Sequence, residues 1–154
     1  MFRSPYLQRK WLPRWAAMAV LLFAAIQLVP FGHGHSAPPV VHEPVWNTPQ
    51  TRQLAVDACY DCHSNQTQWP WYSNVAPISW LNQLDVTLGR RALNFSDWNA
   101  HPISASRIDR SIQRGSMPPF FYTPLHRSAQ LTAAQKQQLI QGIEASLGAS
   151  GSNP

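Results

Sequence analysis

Apolar positions in this chain form one unbroken block and several periodic stretches. The block runs from Trp15 to Val29 and is interrupted only by Gln27; carried on to Phe31 it spans 17 residues. A helix of that length reaches about 25 Å, near the lower limit for crossing a hydrocarbon layer about 30 Å thick. Further on, Thr48-Pro49 reads as an N-cap with proline at the first helical position, and Leu54, Ala55, Ala58, Cys59 and Cys62 then recur along one face. Pro77 opens a second stretch through Leu93, with Ile78, Leu81, Leu84 and Leu88 in helical register and Asn94-Phe95-Ser96 as its break. Ile108 and Ile112, four apart between Ser104 and Gly115, predict a third helix. The last stretch has the most signals: Thr132 and Gln135 form a capping box, Leu139, Ile140, Ile143 and Leu147 make the stripe, and Gly148 ends it. No two-residue alternation or internal repeat competes, so the predicted fold is all-α.

Between the block and the periodic stretches lie Pro30, Pro38, Pro39, Pro44 and Pro49, with Gly32 and Gly34. Proline at this density favours extended chain without internal hydrogen bonds. His33, His35 and His42 fall there without an accompanying cysteine, and read as solvated. The organisation expected is a basic segment over 1–14, a transmembrane anchor over 15–31, a proline-rich linker over 32–48, a folded domain over 49–147 and a small polar tail over 148–154.

Charge sharpens the first boundary. Four of the twelve Lys and Arg residues, Arg3, Arg9, Lys10 and Arg14, precede Trp15 with no acid among them. The remaining eight face seven acids, a formal charge of +1 for everything after the block. The basic balance is therefore a topology signal that keeps the N-terminus in the cytoplasm and sends the rest outward. It offers no basic face for nucleic acid. A cleaved signal peptide is the competing expectation, with Gly34-His35-Ser36 as the best but weak cleavage site.

The chain has two cysteines, and both sit in Cys59-Tyr60-Asp61-Cys62-His63. C-x-x-C-H suits covalent attachment of haem c: two thiols one helical turn apart reach the two vinyl groups, and the next imidazole coordinates the iron. Two bland alternatives compete. A thioredoxin-like redox disulfide needs a strand and a βαβ pattern, which are missing. A zinc site would have to recruit distant histidines such as His101 or His126.

The second axial position decides the chemistry. Gly115-Ser116-Met117-Pro118-Pro119 offers a methionine on an extended loop, and a thioether at iron raises the haem potential. Met117 is the expected sixth ligand, against a core-filling role or a bis-histidine haem using His101 or His126. Trp69, Trp71 and Tyr72 are candidates for hydrogen bonds to haem propionates, Arg90 for an ion pair with one. The abundant aromatics are expected to pack around the porphyrin. The free ring N–H of His63 is expected to reach a backbone carbonyl, sought in the loop of Pro70 and Pro77.

Cys59 to Thr67, with Trp69-Pro70-Trp71-Tyr72-Ser73, Ala76-Pro77, Gly89-Arg90, Leu93-Asn94-Phe95-Ser96, Trp98, Met117-Pro118-Pro119, Tyr122 and His126, resembles the bacterial haem-binding-domain family of small membrane-anchored c-type cytochromes. The likeness covers about residues 30–147. It implies a small cytochrome c-like helical domain with one haem c on Cys59, Cys62 and His63, Met117 opposite, and a single N-terminal anchor. The expectation that follows is a non-enzymatic, single-pass protein of the bacterial inner membrane. Its haem domain would lie in the periplasm and pass single electrons between redox partners there or in the respiratory chain. The alternative is a redox or gas sensor, or a haem-delivery module, with an exchangeable sixth ligand; a peroxidase-like enzyme would need an open iron position.

Overall fold

A computed structural model describes residues 11–100 and 103–147. The basic residues before Trp11, His101 and the tail from Gly148 lie outside the described residues. Those described form six α-helices: α1 (Leu12–Ile26), α2 (Pro49–Ala58), α3 (Tyr60–His63), α4 (Ile78–Ala92), α5 (Ala105–Gln113) and α6 (Ala133–Leu147). Two 3-10 turns, Trp71–Asn74 and Arg127–Ala129, and an isolated bridge between His42 and Asp97 complete them. The all-α expectation holds.

The helix starts follow the local signals. Thr48 Oγ1 accepts from Thr51 N at 3.1 Å, with Pro49 as the first residue of α2. The capping box before α6 closes reciprocally: Gln135 N donates to Thr132 Oγ1, and Thr132 N to Gln135 Oε1. Gly115, at φ +68°, lets Ser116 N reach Ser111 O and Gly115 N reach Ile112 O, a Schellman ending for α5.

The described chain divides into two compact units. One comprises residues 11–35 and 70–84, the other 36–69 and 85–147. The division falls inside α4, after Leu84.

In the second unit α6 packs on α2 and α5. Leu139, Ile140, Ile143 and Leu147 are buried with Leu54, Ala55, Ala58, Ile108 and Ile112. Each such Leu or Ile contributes about 1.5–3 kcal/mol of apolar burial. Gly142 lies directly against the Thr51 side chain, where a methyl would find no room. Phe95 centres an aromatic cluster, stacked on Tyr60 at 5.4 Å and on Trp98 at 6.1 Å, with Trp46 tilted against it at 5.4 Å.

The proline-rich stretch is less free than its composition suggested. Val41 N and His42 N both donate to Ser96 O, Trp98 N donates to His42 O, and Asn65 Nδ2 donates to Pro39 O. Glu43 takes a bidentate pair from Arg52, both bonds 2.8 Å. Proline cannot donate from its own nitrogen, but its carbonyl and its neighbours' amides remain available. The stretch is thereby pinned to the core rather than serving as a spacer.

In the first unit, α1 buries none of its residues. It ends at Ile26, short of the expected Phe31, and Gln27, Leu28 and Val29 continue as a tight turn with bonds to the third residue back. Its 15 residues rise about 22 Å. No helix among the described residues is long and apolar enough to cross a membrane.

Candidate functional site

The C-x-x-C-H segment is presented by a break between two helices. Cys59 leaves helical geometry at φ −129°, ψ −34°, and α3 restarts at Tyr60. His63 N donates to Cys59 O at 2.9 Å, so both thiols and the imidazole lie on one closed turn. Neither thiol is in a disulfide. Burial pushes both up to about 12, the neighbouring acids Asp85 and Asp61 adding to the effect at Cys62. Among the described residues, no three His, Cys, Asp or Glu side chains gather as a metal site.

His63 is oriented from the far side by α4. Its Nδ1 lies 2.9 Å from Gly89 O and 3.3 Å from Leu93 O. Carbonyls only accept, so Nδ1 carries the proton and Nε2 keeps its lone pair for a metal. Burial lowers the pKa of the imidazole, against the opposing effect of those two carbonyls, which favours the neutral form an iron ligand needs. The carbonyls come from α4 rather than from the Pro70–Pro77 loop, where sequence reasoning had looked for them. Glycine is required at 89 for the same contact: a methyl there would run into the Cys62 carbonyl.

A cavity of about 260 Å³ opens beside this turn, lined by Cys59, Cys62, His63, Leu88, Gly89, Met117, Pro119, Phe121 and Tyr122, with Asp61 and Asp85 as its acidic members. A second, of about 230 Å³, shares Cys59, His63, Ala92 and Met117 with it and adds Ile103, Ile108, Ile112, Arg107 and Ser111. The shared residues make them two lobes of one cleft. A largely apolar cleft with a neutral imidazole, two free thiols and a thioether on its walls fits a haem attached at Cys59 and Cys62. His63 and Met117 are the residues that would hold its iron.

Met117 enters from the Schellman turn that closes α5, its own N–H bonded to Ser111 O at 3.2 Å. The loop after it is tied back to the C-x-x-C-H turn. Tyr122 Oη donates to Asp61 Oδ2 at 2.6 Å, while Asp61 Oδ1 accepts from Gln68 N and Asp61 O from the Thr67 hydroxyl. His126 stacks on the Tyr122 ring at 3.7 Å and bonds Tyr122 O through Nδ1, outside both lobes.

Other expected residues lie elsewhere. The Arg90 guanidinium donates to Ser64 O at 2.7 Å, to Ser36 O at 3.0 Å and to Thr67 Oγ1 at 3.0 Å, so it braces the loop after His63 instead of lining the cleft. Trp69 is absent from the lining, and Trp71 and Tyr72 belong to the other unit. Of the aromatics expected around a porphyrin, Phe121 and Tyr122 line the cleft and Trp98 is buried in the core. Sequence reasoning missed Asp61, Gly89 and Arg107. The one available signal was Asp61 inside the motif, whose partner Tyr122 is 61 positions away.

Ser64, Asn65, Asn94 and Ser96 turn out to be scaffold. Asn65 N donates to Ser96 Oγ, Asn94 Nδ2 to Asn65 Oδ1 and Ser96 N to Asn94 Oδ1, while Phe95 N bonds His63 O. This network fixes the exit of the C-x-x-C-H turn.

Residues 21–145 match the model of the family described as haem-binding domain. No curated protein matches the chain, and no solved structure does.

Proposed function

The chain belongs to the haem-binding domain family, and from that premise we propose that it is a membrane-anchored c-type cytochrome passing single electrons outside the cytoplasm. One observation carries the proposal: Cys59, Cys62, His63 and Met117 all line one apolar cleft. Bound haem would supply a one-electron iron couple. Everything else is work for the polypeptide. Cys59 and Cys62 would hold the haem by thioether links, the Gly89 and Leu93 carbonyls hold the His63 tautomer that leaves Nε2 free for iron, and Met117 would supply a thioether ligand. Arg107, at the edge of the second lobe, replaces Arg90 as the cationic candidate for a propionate.

With His63 and Met117 both given to the iron, no ligand position would be left for a substrate, which favours a carrier over an enzyme. Its partners are then redox proteins of the periplasm or respiratory chain, and nucleic acid is not among them. Membrane attachment is supported by the basic residues ahead of Trp11 and by the exposure of α1 along its whole length. Met117 at the surface, 40 % exposed, keeps a second reading in view, in which the sixth ligand exchanges and the protein senses or delivers haem.

The test is covalency. Haem should remain with the polypeptide on a denaturing gel when the protein matures in an oxidising compartment with a haem-attachment system, and Cys59→Ala with Cys62→Ala should abolish this. Haem from the native protein that extracts into acidic organic solvent would contradict the proposal.

A further inference from the structure

The 70–84 segment of the first unit carries no charged residue. Among residues 11–35 and 70–84, Arg14 is the sole Lys, Arg, Asp or Glu, and every acid of the chain lies in the other unit. Yet the 70–84 segment leaves four of its large apolar side chains exposed. Trp71 is 78 % exposed, Leu81 60 %, and Ile78 and Leu84 45 % each. Ile78, Leu81 and Leu84 fall on one stripe of α4.

This segment is fastened to the end of the apolar N-terminal run at three points. Gln27, the one polar residue of that run, spans Ala76 with both ends of its amide: Nε2 donates to Ala76 O at 3.1 Å and Oε1 accepts from Ala76 N at 2.9 Å. The His35 ring Nε2 bonds Ser73 O at 3.1 Å. Gly32, at φ +86°, brings its backbone against that of Ser79 and Trp80, where a side chain would not fit. Wherever α1 enters a bilayer, the Trp71–Leu84 segment is therefore held at the exit.

We propose that Trp71, Ile78, Leu81 and Leu84 form a seat that dips into the lipid surface beside the anchor. An uncharged apolar stripe led by an exposed indole has the composition of a bilayer interface. A protein partner recognised by charge would find nothing to pair with. The proposal rests on the membrane-anchor reading and deepens it by assigning a second, non-spanning contact with lipid.

The full chain, reconstituted into phosphatidylcholine vesicles containing phosphatidylglycerol, would carry a photo-crosslinking amino acid at Leu81, at Trp71, at Leu21 in α1, or at exposed Gln138 in α6 as the control. Lipid adducts at Leu81 and Trp71 and none at Gln138 are expected, and Leu81→Asp should reduce the adduct at Trp71 several-fold. Adducts at Leu21 without any at Leu81 would overturn the seat while leaving the anchor standing. Adducts at Leu81 without any at Leu21 would uphold the seat and sink the anchor. A crosslink from Leu81 to a second copy of the chain would overturn the seat in favour of self-association.

Discussion

Two helices with the same stripe have opposite fates in this molecule. Ile78, Leu81, Leu84 and Leu88 on α4 recur much as Leu139, Ile140, Ile143 and Leu147 do on α6, yet the first four are exposed and the last four are buried. Periodicity reports that a helix exists and where its apolar face lies. It does not report what covers that face. On α6 the cover is α2 and α5. On α4 it differs along the length: Leu88 lines the cleft that haem would fill, and Ile78 to Leu84 belong to the uncharged 70–84 segment of the other unit, assigned here to lipid. The contrast separates a charged unit that builds a core and a site from an uncharged segment, 70–84, that leaves Trp71, Ile78, Leu81 and Leu84 exposed.

If that separation is real, substitutions in the charged unit should change haem chemistry and stability without releasing the protein from membranes. Gly89→Ala should have the largest effect. The added methyl meets the Cys62 carbonyl and pushes α4 away from the His63 ring. A loss of about 1–3 kcal/mol in stability is expected, as for other overpacked contacts, together with a fall in covalent haem yield, read by thermal unfolding and haem staining. Unchanged unfolding and full haem content would show that α4 does not orient His63.

Tyr122→Phe is expected to act next. It removes the donor to Asp61 that ties the Met117 loop to the C-x-x-C-H turn. The cost is about 1.5 kcal/mol, typical of a hydrogen bond to a carboxylate. The ferrous protein should then bind carbon monoxide faster, while its haem stays attached. An unaltered rate would mean the loop is held by other contacts.

A subtler effect is expected at Asp109, a carboxylic acid buried in the same unit. Burial first, and Glu144 second, hold its pKa up to about 6 against an ordinary 3.8. The folded state therefore binds the proton more tightly than the unfolded one does. This contribution is fully present at pH below 3.8 and is lost as pH rises through about 6. Asp109→Asn should raise the melting temperature above that range and change it little below. A rise of equal size at both ends would assign the effect to packing rather than titration.

What the sequence made legible was local. The Thr48 cap, the Thr132–Gln135 box, the Gly115 stop and the helical C-x-x-C-H turn each depend on residues within one or two turns of one another, and each is present. What it concealed depends on chain that returns from a distance. The His63 ring is held by a carbonyl 26 positions on, and the Met117 loop by a hydroxyl–carboxylate bond across 61. Backbone carbonyls carry no residue signature, so no inspection of side chains could have found Gly89 O. Arg90 shows a related limit: a guanidinium serves backbone oxygens as readily as it serves a propionate, and here Ser64 and Ser36 take its donors.

The central claim, that His63 and Met117 together close the iron, is tested most directly by the absorption spectrum of the purified holoprotein, ferric and ferrous, with and without carbon monoxide, beside that of Met117→Ala. The account predicts a low-spin ferric spectrum with the weak long-wavelength thioether–iron band, absent from the variant, and a wild-type ferrous haem that resists carbon monoxide where the variant binds it. A wild-type protein that takes up carbon monoxide readily, or a variant with an unchanged spectrum, would contradict it.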